Sequence, residues 1–203
     1  MIKLYHAPRS RSSRFIWLLE ELQAPYTIEQ VTIFRPMENA GAADPANPHP
    51  DKQVPAIEHN GVLITESIAI ATYLADAFPA GGLAPAIGDP RRGPYLTWLA
   101  WYAAALEPAI FAKFANELET SPAKRRNYDA VVRRLDDALA RGSYLLGDQF
   151  SAADVIVGSA VAWARQALPE STLFDAYADR CQSRPAALLA VEKDEIVGIQ
   201  RAA

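Results

Sequence analysis

The period of apolar positions changes several times along the chain, and each change marks an element. Ile2 to Tyr5 is a short apolar run and reads as a strand. Phe15, Leu18, Leu19 and Leu22 then recur at i, i+3, i+4 and i+7, which predicts an amphipathic helix with Ser12 or Ser13 as its N-cap. Ala24-Pro25 stops it, and Tyr26 to Ile33 alternates as a second strand. Pro36, Pro45, Pro48 and Pro50, with Pro55 just beyond, fall among small residues; this stretch is expected to be irregular apart from a short helix near 37–43. Pro55 opens another apolar run, Asn60-Gly61 supplies a two-residue hairpin turn, and Val62 to Thr65 answers it. A proline belongs at the first residue of its strand, where a missing N–H costs no ladder bond. Ile68, Ile70, Ala71, Tyr73 and Leu74 return to helical spacing, predicting a helix over 67–78.

From there on the pattern is helical. Phe78-Pro79-Ala80-Gly81-Gly82-Leu83-Ala84-Pro85 is a linker. Asp89-Pro90 starts a long helix expected to reach about Leu118, and Ser121-Pro122 starts another expected to reach about Arg141. Ser151 and Asp154 have capping-box spacing, flanked by Phe150 and Val155 at the positions of a hydrophobic staple. Val155 to Ala164 has almost no polar face and should lie at the centre of a helical domain. Helices over about 171–182 and 185–195 close the chain. The expected fold is an α/β N-terminal domain of order β-α-β-α-β-β-α over residues 1–79, a linker over 80–88, and an all-α helical bundle over 89–203.

Composition narrows the chemistry. Of 203 residues 50% are hydrophobic and 22% charged, with a formal net charge of -4, so neither nucleic acid nor an anionic membrane is favoured as a partner. No apolar run approaches the roughly 18 residues of a membrane span, no signal-like segment opens the sequence, and a cytoplasmic protein is expected. One cysteine, Cys181, excludes an internal disulfide and dithiol exchange; His6, His49 and His59 have no metal-ligand spacing with it, and no metal is expected. The chain has no glycine-rich nucleotide loop. What remains is the hairpin, which delivers Glu66 and Ser67 to a helix N-terminus, where free N–H groups and the helix dipole favour a bound carboxylate.

Four motifs, in order and spacing, carry a family resemblance: the serine-rich segment Leu4-Tyr5-His6-Ala7-Pro8-Arg9-Ser10-Arg11-Ser12-Ser13-Arg14, Gln53-Val54-Pro55, Thr65-Glu66-Ser67, and the Ser151–Asp154 box. End to end, the chain resembles a cytosolic glutathione S-transferase of bacterial type, with a thioredoxin-like first domain and a helical second one. The resemblance implies glutathione as co-substrate, a homodimer, and a reaction in which the glutathione thiolate is conjugated to a small hydrophobic electrophile in detoxification. Peroxidase, isomerase or dehalogenase chemistry at the same site, and a non-catalytic interaction module on the same fold, are the alternatives it leaves open.

The resemblance also implies roles, position by position. Pro55 would be cis, presenting the backbone N–H and C=O of Val54 to the cysteinyl unit of glutathione. Ser67 would hold the γ-glutamyl carboxylate, with Glu66 near the α-amino group. Gln53 stands where many relatives carry lysine, so Lys52 or His49 would supply charge at the glycyl end. Aligning on Arg14 and the helix after it places Ser10 at the thiol-activating serine, with Ser12 and Tyr5 as alternatives and Ser13 as a further hydroxyl in the cluster. The electrophile pocket would draw on Arg11, Trp98, Trp101, Tyr102 and Phe111. Independently of any family, Arg9, Arg11 and Arg14 oppose the dipole at a helix N-terminus, a cost that an anion docking there would offset.

Overall fold

A computed structural model describes residues 1–200, of which 197–200 as backbone. The chain forms two compact units: residues 1–81 together with the helix that begins at Pro185, and residues 82–184.

In the first unit four strands, β1 (Ile2–His6), β2 (Tyr26–Gln30), β3 (Ala56–His59) and β4 (Val62–Thr65), form one mixed sheet in the order β2-β1-β3-β4. β1 runs parallel to β2 and antiparallel to β3, which pairs antiparallel with β4. Asn60 and Gly61 both take positive φ (53° and 77°), as a two-residue hairpin turn matching the twist of its strands requires. Helices α1 (Ser13–Glu21) and α2 (Ser67–Ala77) pack on each other and on this sheet. The helix expected near 37–43 is absent. Residues 36–39 instead form a tight turn closed by paired backbone hydrogen bonds between Arg35 and Ala40, and Asn39 is left-handed at φ 47°. Pro36 fixes one dihedral, and Pro45 forecloses extension, so no helical turn propagates.

In α1, Phe15, Ile16, Trp17, Leu18 and Leu19 are buried consecutively, wider than the predicted stripe. The cause is the last helix, α8 (Pro185–Gln200), which packs along α1 and covers the face the spacing assigned to solvent. Position in the chain assigned this helix to the bundle; its contacts group it with the sheet unit. Lys193 of α8 reinforces the contact by donating to Glu20 of α1, which also accepts from the Tyr26 hydroxyl.

The second unit contains α3 (Arg92–Trp101), α4 (Glu107–Phe114), α5 (Pro122–Leu139), α6 (Ala152–Trp163) and α7 (Thr172–Gln182). The long helix expected from Asp89 is interrupted at Tyr102–Leu106 by a π-helical turn, in which the Glu107 N–H reaches back to the Tyr102 carbonyl. Pro108 explains it: the ring lacks an N–H and would collide with the carbonyl four residues back, and the wider turn relieves both. Ser121 caps α5 by accepting the Lys124 N–H, as expected. α6 is buried almost all round and packs against α3 and α7. Its capping box forms, and Asp154 accepts from both the N–H and the hydroxyl of Ser151.

Where α6 meets α7, a Cβ on Gly158 would lie 2.7 Å from Cys181 Sγ and 3.1 Å from Cys181 Cβ. Gly158→Ala is therefore expected to cost about 1–3 kcal/mol by overpacking, lowering the thermal midpoint by several degrees. A denaturation curve unchanged from the wild type would show that the two helices part freely.

Candidate active site

The sheet register brings three loops to one end. Ala56, the first residue of β3, pairs with Thr65, the last of β4, and with Tyr5 near the end of β1. The segment after His6, the Val54-Pro55 segment before β3, and Glu66-Ser67 after β4 therefore all emerge at the same edge. Open α/β sheets place ligands beyond strand ends of this kind.

Val54–Pro55 is cis. Val54 is buried but lies outside any strand, and among the described residues neither its N–H nor its C=O enters an internal hydrogen bond. Such groups are ordinarily paired, by protein, water or ligand. Glu66 occupies the N-cap of α2 at φ 68° and ψ 123°, a conformation rare for a residue with a Cβ, and its carbonyl accepts the Ile70 N–H. Ser67 follows as the first helical residue, half-buried, and among the described residues its hydroxyl has no hydrogen-bond partner.

The loop before Val54 is organised by Asn47, a residue the sequence reading missed. Fully buried, Asn47 donates Nδ2–H to the Gln53 carbonyl (2.9 Å), accepts the His49 N–H at Oδ1 (3.0 Å), and accepts Lys52 Nζ at its own carbonyl (2.7 Å). Asn followed by Pro48 was the available signal, since Asn side chains satisfy turns locally. Lys52 is thus turned onto loop carbonyls, and His49 is buried with Nδ1 accepting the Asp51 N–H (3.0 Å). Both hold the loop rather than project a charge from it. Gln53 is exposed.

The three serines have separate environments. Ser10 is half-buried; its hydroxyl lies 2.7 Å from the Ala7 carbonyl and 2.7 Å from Ser12 Oγ, and accepts the Ser12 N–H at 3.1 Å. Ser12 is fully buried and stands at the N-cap of α1, but its hydroxyl does not cap the helix. It meets His6 Nδ1 at 2.8 Å and accepts the Ala7 N–H at 3.2 Å. Ser13 donates to Asp194 Oδ1 at 2.7 Å and accepts the Ser10 N–H at 3.2 Å. Tyr5 is buried and donates to Glu58 on β3 (3.1 Å); burial first, then that carboxylate, pushes its pKa up, so the phenol holds its proton more tightly.

Asp194 of α8 supplies the anion that the arginine-rich N-terminus of α1 called for. It accepts the Arg9 N–H at 3.0 Å and the Ser13 hydroxyl, and lies 3.0 Å from His6 Nε2, an ion-pair distance too oblique for a well-formed hydrogen bond. Burial pushes its pKa up, but the donors from His6, Ser13 and Arg9 outweigh that, and the net position is below the ordinary carboxylate value. Arg35 fastens the same loop by donating to the Pro8 and Arg9 carbonyls. Arg11 is exposed beside it.

In the helical unit the four predicted aromatics divide. Trp98 and Trp101 are buried edge to face at 5.0 Å beneath the Arg134 guanidinium, beside a cleft of about 260 Å³ lined by Arg133, Arg134, Asp137 and Arg141. That charged lining does not suit an apolar molecule. Tyr102 is buried and donates to Glu107. Phe111 joins Phe114 and Trp163 in an aromatic cluster, where the indole is 51% exposed. Trp163 was missed because it ends a helix read as wholly buried. Cys181 is buried among α6 and α7, and burial followed by the Asp154 carboxylate pushes its thiol up to about 12, so the chain carries no reactive thiolate of its own.

The sequence matches the model of the glutathione S-transferase N-terminal domain over residues 1–76 and that of the C-terminal domain over residues 100–182. Glutathione S-transferase GstA of Escherichia coli O157:H7 is 27% identical over 167 residues, spanning 80% of this chain and 82% of its own. A glutathione S-transferase from a sphingomonad, solved in complex with glutathione, superposes with a TM-score of 0.77 at 27% identity, over 96% of this chain and 99% of that one. The crystal structure of a glutathione transferase from Methylococcus capsulatus str. Bath gives 0.77 at 30% identity, over 97% and 100%. With both halves matched and a solved relative covered from end to end, the chain belongs to the glutathione S-transferase family.

Proposed function

We propose that this transferase binds glutathione across the three loops at the sheet edge, that Ser10 activates its thiol, and that the thiolate adds to a small apolar electrophile. The observation that carries the reading is the open polarity at that edge: among the described residues the N–H and C=O of Val54 and the hydroxyl of Ser67 have no internal partner, and the N–H groups that begin α2 stand beside them. A tripeptide with a γ-glutamyl carboxylate fits this set. The Val54 backbone pairs with its central residue as an added strand would, and Ser67 with the helix terminus takes the carboxylate. Gln53 supplies a neutral contact to the glycyl end, and Glu66 faces the α-amino group.

Of the three hydroxyls, Ser10 suits the sulfur best because Ser12 is fully buried and Tyr5 is committed to Glu58. An ordinary thiol with a pKa of about 8.5 is only a few per cent ionised at neutral pH. A hydroxyl donating to sulfur near the start of α1 favours the anion; full ionisation at pH 7 raises thiolate roughly thirtyfold, equivalent to about 2 kcal/mol. Lower basicity weakens the nucleophile in part, so positioning of the electrophile supplies the remainder. Within the helical unit, the cluster of Phe111, Phe114 and Trp163 has apolar faces that suit an aromatic or alkyl group. The form we propose is a cytoplasmic homodimer, a compartment that keeps the single buried cysteine reduced. No helix among the described residues is long and apolar enough to cross a membrane.

Calorimetric titration with glutathione tests the site, and no heat at millimolar ligand would end this reading. The ultraviolet absorbance of bound thiolate tests the serine: Ser10→Ala is expected to reduce thiolate at pH 7 about tenfold, with binding of S-methylglutathione unchanged. If Ser12→Ala removes the signal and Ser10→Ala does not, the serine is misassigned.

A further inference from the structure

Behind Ser10 a line of polar groups runs into the protein: Ser10 Oγ to Ser12 Oγ at 2.7 Å, Ser12 Oγ to His6 Nδ1 at 2.8 Å, and His6 Nε2 to Asp194 Oδ1 at 3.0 Å. Ser12 and His6 are fully buried, and the four residues come from β1, the loop before α1 and α8. Glutathione binding as set out above gives no reason for a buried imidazole and a carboxylate to stand in series behind a serine. Nor does packing favour them, since an apolar pair of the same volume would avoid their desolvation.

We propose that His6, oriented by Asp194, is the acceptor of the proton that the glutathione thiol loses, relayed through Ser10 and Ser12. The inference rests on Ser10 meeting the thiol. With an ionised carboxylate at Nε2, the neutral imidazole carries its proton on that nitrogen and leaves Nδ1 as an acceptor. Ser12 then donates to Nδ1, and Ser10 donates either to Ser12 or to the Ala7 carbonyl. When a thiol meets Ser10 Oγ, the S–H proton passes to Ser10, the Ser10 proton to Ser12 and the Ser12 proton to Nδ1. One S–H bond is broken and one N–H bond formed, while each serine ends as it began, with a single O–H. The products are a thiolate facing the new Ser10 O–H and an imidazolium against Asp194. The hydrogen bonds from thiol to Ser10, Ser10 to Ser12 and Ser12 to His6 have reversed, the Nε2 proton still faces Asp194, and net charge is conserved.

The surroundings suit that end state. Asp194 from α8 lies against Nε2 of the ring, and the Arg35 guanidinium holds the loop that follows His6 through the Pro8 and Arg9 carbonyls. Ser12 from the loop before α1 and Gln30, beside His6 on β2, are neutral. The neighbouring cation of α8, Lys193, is engaged by Glu20 and Tyr26. Asp194 is also fixed by Ser13 and the Arg9 N–H, so it keeps its position whichever nitrogen of His6 is protonated.

His6→Asn tests this, because an amide oxygen near the place of Nδ1 can still accept from Ser12 but does not take up a proton. Two readouts are needed: thiolate absorbance against pH, and the number of protons released per glutathione bound, from calorimetry in buffers of different ionisation enthalpy. In the wild type, proton release is expected to fall short of the thiolate formed. In His6→Asn, thiolate at pH 7 should drop about fivefold and release should equal the thiolate formed, with affinity for S-methylglutathione unchanged. Ser12→Ala should behave in the same way with His6 intact, and it decides the matter if His6→Asn does not fold. Equal release and equal thiolate in wild type and variant would overturn the relay. Loss of thiolate in Ser10→Ala but not in His6→Asn or Ser12→Ala would sink the relay alone, whereas thiolate retained in Ser10→Ala would sink the serine assignment beneath it.

Discussion

Ser67→Ala is expected to weaken glutathione binding about 10–100-fold while leaving the thermal midpoint within about 1–2 °C of the wild type. The two halves of that result have one cause. Among the described residues the Ser67 hydroxyl has no internal partner, so its removal strands nothing in the folded protein. In the complex it would donate to a carboxylate, and a hydrogen bond to a charged acceptor contributes about 1.5–3 kcal/mol. S-methylglutathione, which keeps the γ-glutamyl carboxylate and lacks the free thiol, should lose the same factor, separating anchoring from thiol activation. Affinity within twofold of the wild type for both ligands would mean that the carboxylate is held elsewhere at the sheet edge.

How much of this was legible in the sequence depends on the range of the interaction. The hairpin was, because Asn60-Gly61 encodes its turn locally and the flanking alternation sets the register. The Ser151–Asp154 box and the Ser121 cap were legible for the same reason: partner and donor lie within three residues. The role of Ser12 was not. Its position at a helix start suggests a cap, but His6 competes for the hydroxyl, and that contact exists only after β1 and α1 have packed. Asp194 was invisible for a stronger reason, since it meets Arg9 and Ser13 across more than 180 residues of chain. Once α8 is known to cover α1, the consecutive burial of Phe15 to Leu19 and the tolerance for Arg9, Arg11 and Arg14 at that helix start both follow. In the helical unit, spacing found the aromatics but not their sorting. Trp98 and Trp101 are covered by an arginine from α5, while Phe111 is grouped with a tryptophan from α6.

The largest stability effect expected in the chain is at Asp154. Its carboxylate is fully buried and accepts four hydrogen bonds: the Leu145 N–H (2.9 Å) and Tyr177 hydroxyl (3.1 Å) at Oδ1, and the Ser151 N–H and hydroxyl (2.9 Å each) at Oδ2. It therefore ties the start of α6 to the turn after α5 and to α7. Asp154→Ala leaves those donors buried without an acceptor, and a loss of about 3–5 kcal/mol is expected, lowering the midpoint by roughly 6–20 °C. Asp154→Asn, which restores an acceptor but turns an NH2 toward some of the donors, should lie between the two. The pH dependence has a definite sign. Burial raises the Asp154 pKa above the ordinary carboxylate value, and the donors from Leu145, Ser151 and Tyr177 offset only part of that. A carboxyl raised on folding contributes its stability in full below the unfolded value, about pH 3.9, and that contribution declines as pH rises through the folded value. The penalty of Asp154→Ala, read from urea midpoints at matched ionic strength, should thus be larger at pH 5 than at pH 8. A penalty that grows with pH would mean that the four donors outweigh desolvation and that Asp154 is held as a stabilised anion.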